Sequence, residues 1–192
     1  MADIQTQRLL IRTFEPDDLS DIHRILNLAV GAGTRLDQER ALRERESWLR
    51  WSILNQEWLP TLHQPPYGDL AVVLKSTGIV IGAVGYVPLL APFDQIPELR
   101  SAGTPPGHYT PGVGLYWVID PAQQRQGYAL EAARSLVDHA FRVLHLQRIL
   151  ATTEYRNAAS QGVMRKLGMH VARNPLPQPD WLQVVGILEN PL

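Results

Sequence analysis

One stretch of the chain has the residues to hold an anion. Asp120-Pro-Ala-Gln-Gln-Arg-Gln-Gly-Tyr-Ala-Leu-Glu-Ala132 lies between a strand-like run and a long amphipathic helical pattern. Gly127 removes a Cβ where the backbone must turn tightly, so successive N–H groups from Arg125 through Gln126, Gly127 and Tyr128 to Ala129 can point into one concavity. A helix that starts there adds roughly half a positive charge from its dipole, which makes phosphate or pyrophosphate the natural ligand. Two better-known phosphate patterns do not occur in the chain, G-x-x-x-x-G-K-[ST] and G-x-G-x-x-G.

The elements that must position this loop can be read from the pattern on either side. Leu115–Ile119 is a strand ended by Asp120-Pro121, and Ala129, Ala133, Leu136, Val137, Ala140 and Leu144 recur at helical spacing after the loop. Arg148–Thr153 is the next strand, and strand–helix–strand implies a parallel pair with a right-handed crossover. A short helix spans about Ala158–Leu167, with Gly168 placed to stop it. A strand pair, about Met169–Arg173 and Leu182–Leu188, closes the chain.

Upstream, Arg8–Phe14 reads as a strand, followed by a helix running to about Val30 and broken by Gly31-Ala-Gly33. A second helix covers about Gln38–Leu59, with Leu42, Leu49 and Ile53 on one face and Trp51 and Trp58 on another, which predicts cover on two sides. Asp69–Lys75 and Ile79–Val87 form an antiparallel hairpin across Ser76-Thr-Gly78. Pro88–Gly112 holds six of the 15 prolines and reads as a long irregular connection that either covers a site or mediates a homodimer. The expected fold is a single mixed α/β domain over residues 1–192 with one central sheet.

Composition narrows the function. With 192 residues, 45% hydrophobic and 19% charged, the chain is globular. Its 18 basic and 19 acidic residues give a net charge of −1 with no basic run, which argues against nucleic-acid binding. Zero cysteines exclude a disulfide scaffold, a thiolate nucleophile and cysteine-ligated metal. His23, His63, His108, His139, His145 and His170 form no H-E-x-x-H or i, i+4 pair, and no G-x-S-x-G elbow is present, so neither a metal site nor a serine hydrolase is expected. With no signal-like N-terminus and no apolar run of membrane length, the expected location is cytoplasmic, away from membranes.

Gln124-x-x-Gly127-x-Ala129 resembles the Q/R-x-x-G-x-G/A coenzyme A loop of the GCN5-related N-acetyltransferases (GNAT). Asn157-Ala-Ala-Ser160-Gln-Gly-Val163-Met-Arg-Lys166-Leu-Gly168-Met169 resembles the N-x-x-S-x-x-V-x-x-K-L-G-F block of the ribosomal-protein N-terminal (RimJ/RimL-like) branch, and Gln7–Thr13 is similar to that branch's opening strand. The resemblance implies a mostly antiparallel sheet in which Leu115–Ile119 and Arg148–Thr153 splay apart to admit the pantetheine arm. It implies main-chain groups of Val118 and Ile119 along the arm, the Gln126–Ala129 amides on the pyrophosphate, and Asn157 bonding the arm.

It also implies direct attack of an amine on acetyl-CoA, with the enzyme supplying orientation, carbonyl polarisation and proton handling. Two residues depart from the family pattern. The Tyr that protonates the leaving thiolate in many members corresponds to Met164, which makes Ser160 the candidate general acid. The Glu of Glu-[IL]-Gly-Tyr is missing from Gly114-Leu-Tyr-Trp117, which leaves the base unassigned. An α-amine, about 10–20% neutral at pH 7 against under ~0.1% for a lysine amine, needs the least help from a base. The acceptor is therefore a protein N-terminus or a small amine, and the opposing reading is an acyl-CoA sensor without turnover. Trp51 or Trp58 would border the acceptor.

Overall fold

The computed structural model describes residues 1–30, 35–100 and 107–191, with side chains from residue 39 onward in the second helix. The expected break at Gly31-Ala-Gly33 lies outside the described residues. Among the described residues eight strands make one mostly antiparallel sheet: β1 Ile4–Gln5, β2 Leu9–Arg12, β3 Gly68–Leu74, β4 Ile79–Ala91, β5 Thr110–Ile119, β6 Arg148–Thr153, β7 His170–Arg173 and β8 Val184–Glu189. Their order is β1-β2-β3-β4-β5-β6-β8-β7, and β5 with β6 is the parallel pair, registered at Gly114 opposite Leu150. Among the described residues four α-helices accompany them, α1 Leu19–Val30, α2 Arg35–Trp58, α3 Tyr128–Arg142 and α4 Ala158–Leu167.

The chain groups into two compact units, and β4, β5 and α3 each run from one into the other. The first holds Met1–Tyr86 and Tyr116–Leu136. The apolar run Leu70–Leu74 in β3 is continuous, not alternating, and β3 is buried along its whole length. Ile22, Ile25 and Leu26 of α1 share one helical face and pack with Phe14, Leu49, Ala71, Val73, Val80 and Ala83. The β3–β4 ladder shifts register between Val72, opposite Gly82, and Val73, opposite Val80, which leaves Ile81 as a bulge residue. The freed Ile81 carbonyl accepts the Asp120 N–H at 2.8 Å and so anchors the chain just beyond β5.

The second unit holds Val87–Leu115 and Val137–Leu192. There β6 pairs antiparallel with β8, and β8 with β7. Phe93, Ile96, Leu150, Leu182 and Val185 form its core. Gly168 ends α4 in the left-handed region at φ 89°, as its place in the sequence predicts.

Three expectations are corrected. The irregular stretch is shorter than Pro88–Gly112, because β4 continues to Ala91 and β5 begins at Thr110. The β3 ladder ends where Gly68 faces Tyr86, so the absent N–H of Pro88 breaks no bond on that side. Phe93, which opens the first of two short 3-10 turns, and Ile96, which lies between them, are buried. The second helix has one covered face, with Leu49 buried while Trp51 is 45% and Trp58 63% exposed. Finally, β1 was not expected. It pairs Ile4 with Ile11, too few residues to show a period.

Candidate functional site

In the first unit the chain leaves β5 at Ile119 and turns at once. Asp120 is buried; its carboxylate accepts the Ala122 N–H at 2.9 Å and pairs with Arg24 at 2.7 Å. Burial pushes this carboxyl up, but the Ala122 N–H and the Arg24 guanidinium outweigh it and hold it below the usual aspartate value. After the 3-10 turn Pro121–Gln123, Arg125 and Gly127 both take positive φ, 64° and 87°. The space a Cβ would need at Gly127 has one neighbour within contact range, Arg8 Nη2 at 3.4 Å. Gln124 to Gly127 are exposed, and α3 begins at the next residue. The first N–H groups of α3 have no carbonyl within the helix to bond, so the loop offers donors to an anion.

What fixes the loop is an ion pair that the local sequence pattern does not reveal. Glu131, in the first turn of α3, accepts Thr6 Oγ1 at 2.6 Å, the Arg8 backbone N–H at 2.8 Å and Arg8 Nε at 2.7 Å. Arg8 also donates to the Gln126 carbonyl at 3.0 Å and lies 4.5 Å over the Tyr128 ring. Burial alone would raise the Glu131 carboxyl, and these hydrogen bonds with the nearby guanidinium hold it below its ordinary value. The partners are 123 residues apart in sequence. No spacing rule links them.

The strand side of the site is equally close-fitted. A Cβ on Gly82 would collide with the Val118 carbonyl and lie 2.9 Å from Ile119 Cδ1, so only glycine lets β4 approach here. Gln124 donates its side-chain amide to the Ile119 carbonyl at 3.0 Å. It ties the strand end to the loop. The Tyr128 ring is buried under Arg8, which leaves the main chain of that residue as its contribution to a ligand. Val118, Ile119 and Gln124–Ala129 are thus brought together in one unit.

Asn157 and Ser160 belong to the second unit, where they meet each other. Asn157 Oδ1 accepts the Ser160 N–H at 3.0 Å and caps α4. Met164, at the family's Tyr position, is fully buried, and a Cβ on Gly186 would lie 3.1 Å from its Cγ. It serves the core. The second unit also holds a cavity of about 370 Å³ lined by Phe93, Asp94, Gly112, Gln147, Arg148 and Leu150 among others, none of them a residue singled out from the sequence. No helix among the described residues is long and apolar enough to cross a membrane.

The acetyltransferase (GNAT) domain model matches residues 8–170. An uncharacterized N-acetyltransferase of Bacillus subtilis (strain 168), YnaD, is 41% identical over 63 residues, which span 33% of this chain and 36% of that protein. The ribosomal-protein-S5-alanine acetyltransferase of Vibrio fischeri shares the fold at TM-score 0.67 and 19% identity, covering 100% of this chain and 98% of that one. RimL, the ribosomal L7/L12 alpha-N-protein acetyltransferase solved in complex with coenzyme A, superposes at TM-score 0.65 and 14% identity over 97% and 96% of the two chains. A family model spanning most of the sequence, on a mostly antiparallel sheet with a glycine loop heading α3, makes this chain a member of the GNAT acetyltransferase family.

Proposed function

We propose that the protein transfers the acetyl group of acetyl-CoA to a primary amine and that a protein N-terminal α-amine is its acceptor. The observation that carries this reading is the loop at the head of α3: positive φ at Arg125 and Gly127, exposed donors, and Arg8 with Glu131 bracing it from below. The open space at Gly127 is the space a side chain would fill, so the loop fits a pyrophosphate. On this proposal the Gln126–Ala129 amides hold the pyrophosphate, main-chain groups of Val118 and Ile119 hold the arm, and Asn157 bonds it with the Nδ2 that its capping role leaves available. Acetyl-CoA supplies an activated thioester carbonyl. The protein's own share is to orient that carbonyl, polarise it with main-chain N–H groups and manage protons.

Two observations favour an α-amine. It is neutral often enough near pH 7 to react with little help, and two structural neighbours are described as acting on ribosomal proteins, one on an alanine and one as an alpha-N-protein acetyltransferase. We also take the two units as one catalytic domain, because the family model runs through both. The same proposal carries a cytoplasmic location and leaves the choice between monomer and homodimer to light scattering.

The test is thiol release from acetyl-CoA with three acceptor sets: N-terminal peptides, polyamines and free amino acids, with products weighed by mass spectrometry. Acetylated peptide α-amines are expected. Turnover only with polyamines or amino acids would replace the acceptor, and acetyl-CoA binding without turnover in any set would establish the sensor reading.

A further inference from the structure

A polar cluster in the first unit is left unused by the coenzyme loop. Asp69, at the start of β3, is 7% exposed, and its Oδ1 is buried without a hydrogen-bond partner. His23 Nδ1 on α1 and Arg45 Nε and Ser52 Oγ on α2 are likewise buried and unpartnered. They share one neighbourhood. The Arg45 charge acts on Asp69, on His23 and on Tyr116 of β5, while Ser52 backbone atoms lie 3.6 Å from the Cβ position of Gly68, the residue before Asp69. Gly85, opposite Asp69, keeps the space clear: a Cβ there would lie 2.7 Å from Asp69 Oδ1. Folded chains satisfy the great majority of their buried polar atoms, so four orphans in one cluster, the Asp69 carboxylate oxygen and three others, mark a place that polar matter from outside the chain fills.

Resting on the acetyltransfer reading above, we propose that Asp69 is the carboxylate that takes the proton of the acceptor ammonium. Asp69 removes one proton from R–NH3⁺. The nitrogen lone pair then forms the C–N bond to the thioester carbonyl carbon, the C–S bond breaks with its electron pair going to sulfur, and the second nitrogen proton ends on the thiol. Asp69 afterwards returns its proton to solvent. The products are an amide, free coenzyme A and one proton, which balances.

Burial pushes the Asp69 carboxyl up to about 7, against the opposing pull of Arg45. A base poised there suits an amine at neutral pH. The groups that act on it directly are Arg45 from α2 and Tyr116 from β5, with His23 of α1 under the charge of the same Arg45, and burial keeps the Tyr116 phenol protonated well above its ordinary range. Because the folded chain favours the protonated acid, the stability Asp69 contributes is full below its unfolded value of 3.8 and is lost as pH rises through about 7.

D69N therefore separates catalysis from folding. The expected result is a loss of about 100-fold in kcat/KM at pH 7.5 with acetyl-CoA affinity unchanged. The variant's Tm should match the wild type near pH 4 and exceed it at pH 8, the opposite of what a structural carboxylate would give. R45M supplies a second readout: removing the cation raises the pH midpoint of kcat/KM. Retained activity in D69N, a lower Tm at pH 8, or an unmoved midpoint in R45M overturns the proposal. A wild-type enzyme that binds acetyl-CoA yet acetylates no amine removes the acetyltransfer reading, and this proposal falls with it.

Discussion

Gly127 carries a conformational demand and a steric one at the same position. Its φ of 87° costs a residue with a Cβ about 1–2 kcal/mol, and a β-branched side chain would also intrude on the donors that face an anion. G127A should keep most coenzyme affinity, whereas G127V should lose most of it with the fold intact. Arg8 and Glu131 act beneath the loop. E131Q should destabilise the chain by about 1 kcal/mol, a modest figure because Arg8 is half-exposed and screened by solvent. Since the folded Glu131 carboxyl lies below its ordinary 4.5, the pair's stability is present above that pH and is lost as pH falls through the lowered value. Urea unfolding at pH 7 and at pH 3 measures this: the gap between wild type and E131Q should narrow at the lower pH.

Each element ends or bends where a particular side chain makes it do so. Asn157 caps α4, so N157A should cost about 1 kcal/mol of stability. N157D keeps the cap but loses the amide donor. If Asn157 also bonds the pantetheine arm, both variants raise the KM for acetyl-CoA while only N157A lowers Tm. Gly82 sets how near β4 comes to the end of β5, and G82A should destabilise the chain by about 1–3 kcal/mol, read by the same unfolding curves. Elements of this length were legible in the sequence wherever a local period or cap defined them. The bounds of β6 and α4 emerge without correction, the end of α4 from Gly168. The end of β4 did not, because a proline inside a strand is tolerated only where the neighbouring strand has already stopped, and that depends on where β3 ends.

For the molecule as a whole, the legible part of the site was its loop and the illegible part was everything that supports it from a distance. Gln124–Ala129 carries a motif in consecutive residues. The Arg8–Glu131 pair, the Gly82 contact with Val118 and the grouping of Asp69 with Arg45 and His23 join residues that only the folded sheet brings together. Their opposed electrostatics predict the shape of the stability curve. Asp120 and Glu131 stabilise the chain above the ordinary carboxylate range, while Asp69 withdraws stability between pH 4 and about 7. Tm should therefore peak on the acid side of neutrality and level off above pH 8, and a scan in a series of buffers checks it.

The central claim is that the loop heading α3 binds the coenzyme, and calorimetric titration of acetyl-CoA into wild type and G127V tests it most directly. One molecule bound per chain by the wild type, with at least about tenfold weaker binding by a G127V protein of unchanged circular dichroism, is the predicted result, a difference of about 1.4 kcal/mol. Equal affinity in the two proteins, or no binding by the wild type, would contradict it.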